Sequence, residues 1–438
     1  MSVVQRLGAG WLLDHLSFIS RSGYETHGSL VHPPRGALHP CDPAAHATAC
    51  ASGDDPAPGG AVELEGRRGK TRYVFREEFF DVFKPHIEAA APERLCQGGL
   101  NGIPTDTGGS RKCVFNQGEL DALEYHTKIR KLIWEGTLHL VQEGLKSGFL
   151  HCTTAKLDCS KNVVPGPIGC GLAELCERAK QFPAINDSDH EAIRAIDDET
   201  FISEQDLHSC VIENNSSCAK MIMLMGQKYL VPPRSSFLLS DISCLQPLLN
   251  YKKKYDVIVM DPPWENKSVK RSNRYGYLSS WQIKQIPVLA LAAPNCLVVT
   301  WVTNRQKHLR FVKEELYPHW SVKTLAEWHW VKITRSGEFV FPLDSSHKKP
   351  YEVLVLGRVQ GNVSEVLPIP DHKLIVSVPC SLHSHKPPLT EVLAEFVKPD
   401  AERLELFARN LQPGWTSWGN EVLKFQHIDY FTVLQDEN

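Results

Sequence analysis

Charge of one sign is not in surplus: 48 Lys and Arg face 51 Asp and Glu, for a formal net charge of -3. A chain that clings to nucleic acid or acidic lipid through bulk charge is excluded, so any such partner has to be recognised locally. No window approaches the roughly 18 uninterrupted apolar residues of a membrane-spanning helix, so no membrane partner is expected. The 13 cysteines include no C-x-x-C pair, and Cys152/Cys159, Cys170/Cys176 and Cys210/Cys218 are spaced too widely for the usual zinc knuckle. Reduced thiols in an intracellular protein are the simpler reading, and no metal is expected. A sequon such as Asn214-Asn215-Ser216 is then a chance match.

Large apolar residues are scarce over 28–70, a Gly-, Pro- and Ala-rich stretch that reads as low-complexity and disordered. The preceding segment, 1–27, reads as a short amphipathic helix, because Asp14 and His15 interrupt its apolar run and no cleavage site follows. Residues 71–233 read as a mainly helical domain with flexible insertions. Its strongest signal is 118–148, where Leu120, Leu123, Ile129, Leu132, Ile133, Leu138, Val141 and Leu145 recur at helical spacing. Two helices broken near Gly136 are expected there. The texture changes at 234–438. Short apolar runs ("SFLLSDIS", "YDVIVMD", "NCLVVTWVT", "YEVLVLGRV", "KLIVSV", "ERLELFAR") alternate with helical pieces, which predicts an α/β domain with a mostly parallel sheet. In such sheets ligands bind beyond the carboxyl ends of the strands, which places Asp241, Asp261, "WVTNR" and "FARN" on one rim.

One of those strands ends in Asp261-Pro262-Pro263-Trp264. The carboxylate stands at the ligand rim, and the prolines fix φ and remove two N–H donors, leaving rigid carbonyl acceptors. The indole offers a flat stacking face. Two acceptors beside a stacking plate suit an exocyclic amine on a planar base, whose lone pair is freed only as it attacks an electrophile. The bland alternative is a stiff strand-ending turn.

The quartet, together with "LLSDIS", "WVTNR", "EWHWVK", "HKKPYE", "SHKP" and "LELFARNLQPGWTSWGNE", resembles the MT-A70 family of adenine N6-methyltransferases over about Ser235 to Gln426. For one member the resemblance extends into the N-terminal half, through "VFNQGELDALEYHTKIR" and "MGQKYL". The resemblance implies a Rossmann-like fold in permuted, β-class order, S-adenosyl-L-methionine as cofactor, and Asp261, Pro262, Pro263 and Trp264 as the catalytic quartet. It implies cofactor contacts from Asp241, Ile242, Asp261, Lys386 (methionine carboxylate), Arg409, Asn410, Asn420 and Glu421. It aligns Tyr275 with an aromatic of the loop after the quartet. Two departures stand out from the family's mRNA-modifying subunit: the turn after Arg409 is shorter, and Glu421 replaces a glutamine. No zinc-finger cysteines precede the domain either.

Basic residues fill the place of such fingers. Lys267, Lys270, Arg271 and Arg274, with Asn273, follow the quartet; Arg305, Lys307, His308 and Arg310 follow "WVTN"; Lys348 and Lys349 precede another strand. Clustered cations around a base-sized site are the footprint of a nucleic acid, whereas a single cluster alone is ordinarily a solvated face. The target base has to leave its stack to reach Asp261. Trp328 and Trp330 read as core, while Trp415 and Trp418 suit either core or cofactor pocket.

The expected function is therefore adenine N6-methylation of RNA. For the member most alike, the implied target is internal 2'-O-methyladenosine of U2 small nuclear RNA, giving N6,2'-O-dimethyladenosine in the nucleus, with a cytosolic pool. Single-stranded or duplex DNA is an alternative substrate, because the quartet serves either sugar. A non-catalytic RNA-binding subunit is a second alternative, and glutamine-amide methylation, whose motif carries Asn and Tyr at the outer positions, is a third. A self-sufficient single chain is expected over an obligate heterodimer.

Overall fold

The computed structural model describes residues 2–27, 70–86, 116–151, 171–172, 175–176, 192–196, 204–241, 244–265, 278–345, 348–361 and 367–435. Its strands are β1 (Val3–Leu7), β2 (Gly10–Leu13), β3 (Glu25–His27), β4 (Lys70–Phe75), β5 (Ile193–Ala195), β6 (Val211–Asn214), β7 (Lys220–Leu224), β8 (Gln227–Val231) and β9 (Ser235–Leu239). They continue as β10 (Tyr255–Met260), β11 (Ala292–Val302), β12 (Val322–Lys332), β13 (Tyr351–Val359), β14 (Leu374–Ser377), β15 (Arg403–Leu406), β16 (Trp415–Gly419) and β17 (Phe431–Gln435). Two helices matter most for the frame, α1 (His15–Ser20) and the 30-residue α2 (Gln117–Lys146).

Twelve strands form one sheet in the order β1-β2-β14-β12-β13-β11-β10-β15-β16-β9-β6-β5. Its middle, β11-β10-β15-β16-β9, is parallel throughout. Strands here are apolar on both faces, as a doubly covered sheet requires. In β10, Ile258 and Met260 enter one core and Val257 and Val259 the other. One face is covered by helical segments 280–291 and 306–319, the other by the 389–397 segment and Trp11. After β10 the chain moves one way to β11, whereas β15, β16 and β9 lie on the other side. That reversal opens a crevice at the carboxyl end of β10, where an α/β sheet binds its ligand. The fold is mixed α/β, as the strand–helix alternation predicts, and Rossmann-like, as the resemblance implies.

The N-terminal regions depart from expectation. Residues 2–13 are a β-hairpin and not a helix; β2 pairs with β14 and extends the sheet, and only six residues, His15–Ser20, are helical behind the Asp14 cap. The physical reason is Gly10, where any Cβ would sit 1.9 Å from the Leu374 carbonyl oxygen, so the strand can lie close against β14. The helix at 117–146 is one unbroken element. Gly136 is not a break but a contact point, because a Cβ there would come within 2.5 Å of the buried Leu374 side chain. The described residues of 71–233 are helical chiefly in α2 and also form strands that the sequence did not announce. They contribute β5 and β6 to the large sheet, β4 to a three-stranded sheet with β3 and β17, and the hairpin β7–β8. That hairpin turns at Met225 and Gly226, both at positive φ, the twist that two-residue hairpin loops favour.

Candidate active site

The parallel strands deliver a compact set of charges to their carboxyl rim. Asp261 follows β10, Arg409 follows β15, Glu421 follows β16, and Lys386 lies in the loop after β14. Phe407, the residue after β15, adopts φ 61, a left-handed conformation that non-glycine residues adopt at some strain. Its ring is buried edge-on against Trp418 at 5.1 Å, which holds that turn. Two residues on, Arg409 donates from Nη1 to Asp261 Oδ2 at 3.0 Å and from Nε to Glu421 Oε2 at 3.2 Å.

Asp261 is thus the centre of an alternating chain. Lys332 donates to Glu352 Oε1 (2.6 Å), and Lys386 reaches both Glu352 Oε2 (2.9 Å) and Asp261 Oδ2 (3.4 Å). On the other side Arg409 links Asp261 to Glu421, which also takes Lys424 Nζ at 3.0 Å. Burial on its own drives the Lys386 ammonium down, but Asp261 and Glu352 outweigh it and the net shift is upward. Glu352 shows the same contest: burial raises it, yet Lys386 and Lys332 bring it to about 2. Below the chain, Glu405 in β15 is buried with only the Gln412 amide at 3.2 Å, and burial followed by repulsion from Asp261 pushes it up to about 7. Two neighbouring carboxyls therefore differ in kind: Asp261 has two cations, whereas Glu405 has none in contact among the described residues.

The prolines behave differently from two free acceptors. The Pro262 carbonyl accepts the Trp264 N–H at 2.8 Å and the Pro263 carbonyl accepts the Leu278 N–H at 3.2 Å. Each keeps a second lone pair. Trp264 is a correction. It is only 6% exposed, donates its indole N–H to the Trp301 carbonyl at 2.9 Å, and is stacked under His308 at 4.9 Å and 20°. The indole locks the turn and is not an open plate. His308 leaves the expected basic cluster for the same reason: it is buried and neutral, pushed down to about 4 by burial and then by Arg305 and Lys307.

The remaining expected residues divide three ways. Asp241 lies two residues past the end of β9 and is buried; Asn410, Asn420 and Glu421 are half-buried at the same rim. Arg305 and Lys348 are exposed and Lys349 half-buried on that rim, whereas Arg310 turns away to Asp121 of α2. Ile242, Lys267, Lys270, Arg271, Asn273, Arg274 and Tyr275 lie outside the described residues. Trp328 and Trp330 are core, and so are Trp415 and Trp418, whose indoles bond Thr390 Oγ1 and the Cys244 carbonyl. Glu352, Glu405, Lys332 and Lys424 were missed, although the first three lie inside the blocks "HKKPYE", "LELFARN" and "EWHWVK". The signal of those three was a charged residue inside or at the end of an otherwise apolar strand, whereas Lys424 lies in a short turn of helix and carried no such signal.

The sequence model of the MT-A70 family matches residues 255–421, the span that carries this site. N(6)-adenine-specific methyltransferase METTL4 of Homo sapiens is 57% identical over 99% of both chains. The chain belongs to the MT-A70 family. N6-methyladenosine RNA methyltransferase MTA1 of Pyricularia oryzae is 34% identical over 53% of this chain and 63% of its own. The DNA N6-methyl methyltransferase of Caenorhabditis elegans is 33% identical over 47% of this chain and 56% of its own. MT-A70 enzymes use S-adenosylmethionine, and the chemistry of the rim fits it. The cofactor presents a carboxylate, a cationic centre, a diol and a base. Were the cofactor bound at this rim, Lys386 would be the cation for the first and Asp261 the anion for the second, with Glu421, Asn410, Asn420 and Asp241 as polar groups for the rest.

Proposed function

We propose that this chain methylates the exocyclic N6 of adenine in RNA, with internal 2'-O-methyladenosine of U2 small nuclear RNA as the target, acting in the nucleus as a self-sufficient chain. The observation that carries the chemistry is Asp261, held on Oδ2 by both Arg409 and Lys386 beside two proline carbonyls. S-adenosylmethionine supplies a methyl group made electrophilic by its sulfonium. As N6 takes the methyl group and the methyl–sulfur bond breaks with its electron pair left on sulfur, Asp261 supplies the negative charge on which the cationic nitrogen draws, the Pro262 and Pro263 carbonyls offer their second lone pairs to its hydrogens, and the surplus N6 proton passes to solvent. Fixed acceptors of this kind favour the transition state because they need no reorganisation. Lys386 and Arg409 keep the carboxylate in place, and Trp264 under His308 keeps the turn stiff.

RNA is supported by the exposed cations Arg305, Lys307 and Lys348 on the rim and by what the fungal relative's name says of that protein. The worm relative's name supports DNA as the second reading. The test offers the purified chain labelled S-adenosylmethionine with three matched oligonucleotides: adenosine RNA, 2'-O-methyladenosine RNA and single-stranded DNA. Nucleosides are then identified by mass spectrometry. Selective transfer to the 2'-O-methylated RNA is expected. Preferential transfer to DNA moves the substrate to the second reading, and transfer to none of them, with binding intact, overturns the catalytic one.

A further inference from the structure

Burial of Trp264 leaves a question of recognition. An adenine pulled from its stack, together with its neighbours, loses base–base stacking that a binding site has to replace. Single-stranded sites ordinarily replace it with exposed aromatic faces beside a cationic groove. Among the described residues only two Trp, Tyr or Phe side chains are strongly exposed, Trp134 and Trp281. Trp134 lies on α2 with Phe339 beside it at 5.9 Å. Trp281 is 68% exposed, more than any other large apolar side chain described, and no ring of a described residue lies against it.

Its position is what gives that exposure meaning. Leu278 bonds its N–H to the Pro263 carbonyl and bridges to Trp264, so the chain at 278 touches the catalytic turn. Three residues span at most about 11 Å, which keeps Trp281 on the lip of the same site. The short helix that carries it, Ser280–Lys284, is pinned at several points. Ser279 and Gln282 form a capping box, Ile283 is buried, the Trp320 indole donates to the Lys284 carbonyl at 3.2 Å, and Lys284 pairs with Glu315 at 2.7 Å. The same helix packs on the 311–316 turn, whose preceding residues include the exposed Arg305 and Lys307. A large apolar face held rigidly in water, on a helix packed against the segment that follows those cations and within a few residues of the chain bonded to the Pro263 carbonyl, is a preorganised stacking surface.

We infer that Trp281 stacks on a base flanking the target adenine and so helps to set which strands the enzyme accepts. The inference rests on the nucleic-acid reading above. Its occupant is a nucleobase of the substrate strand, held by the indole face while Arg305 and Lys307 meet the phosphates on either side.

Steady-state kinetics of the full chain, Trp281→Ala and Trp281→Phe are compared on the oligonucleotide that the wild type methylates best and on copies with an abasic site at each flanking position. Base–aromatic stacking of ordinary strength predicts a KM for the oligonucleotide about 5- to 100-fold higher in Trp281→Ala. The KM for S-adenosylmethionine and the thermal midpoint stay unchanged, and Trp281→Phe restores most of the affinity. The penalty disappears on one abasic copy, because the base that Trp281 would hold is already gone. An unchanged KM overturns the inference, and so does a penalty equal on every abasic copy, which would mark a contact that is not stacking. A second readout needs no turnover: the emission lost on mutating Trp281 to Phe is quenched by the intact oligonucleotide and not by the abasic copy. Absence of that quenching overturns the inference even where methyl transfer proceeds, whereas a wild type that methylates no adenine at all overturns the functional reading instead.

Discussion

The two rims of the parallel sheet carry similar residues to opposite effect. At the amino ends, Lys253 pairs with Glu402 at 2.8 Å and Lys398 with Asp256 at 3.1 Å, beside a polar cavity of about 250 Å³ lined by Glu213, Arg234, Lys253 and Glu402. Glu402 and Lys398 are 49% and 56% exposed, so water screens both pairs and each ion has mainly one partner. At the carboxyl ends, seven charges from Lys332 to Lys424 alternate in sign, with side chains only 14–23% exposed, and the inner ones are shared. Water competes weakly there, so each ion depends on its neighbours and removing one leaves another uncompensated. An ion pair is informative when it is shared and dry.

The contrast can be tested in order of expected effect. Asp261→Ala should lower kcat/KM at least about 100-fold, in line with the loss of one preorganised charge at a reacting centre. Circular dichroism confirms that the fold survives, and activity within tenfold of wild type would remove Asp261 from the centre of the site. Glu405 gives the next effect, in stability. Its folded pKa of about 7 lies above the ordinary 4.5, so its contribution is complete below pH 4.5 and is lost as pH rises through 7. Glu405→Gln, which keeps the Gln412 bond, should therefore gain on wild type between pH 5 and pH 8 by up to about 3 kcal/mol. Parallel pH curves from urea unfolding would mean that Glu405 is ionised at little cost.

Lys386→Met should raise the KM for S-adenosylmethionine about tenfold or more, the worth of a lost charge-assisted bond, with a smaller change in KM for the oligonucleotide. Equal changes in both would argue for a general collapse of the charge chain. Lys253→Met at the amino rim closes the series. It should shift unfolding by less than about 0.5 kcal/mol and leave turnover alone, and a larger effect would erase the distinction between the rims.

Much of this could be read from the chain. Strands such as "YDVIVM" and "NCLVVTWV" announce themselves because residues apolar on both faces have nowhere to go but a covered sheet. Asp261 and the "FARN" turn that holds Arg409 could be placed on one rim because parallel topology brings strand ends together, whereas Lys386 and Glu421 were legible only through the family resemblance. The N-terminal hairpin could not. Asp14 and His15 break the run in helix and hairpin alike, and what selects the hairpin is a partner strand, β14, more than 360 residues away. Gly136 reads as a helix breaker until Leu374 is seen filling the space where its Cβ would be. Trp264 reads as an open plate until His308 lies on it, and His308 reads as a cation until burial neutralises it. Local chemistry, meaning which residues can accept, donate or carry charge, is written in the order of the amino acids. Exposure and protonation are not, because both depend on which distant side chain excludes the water.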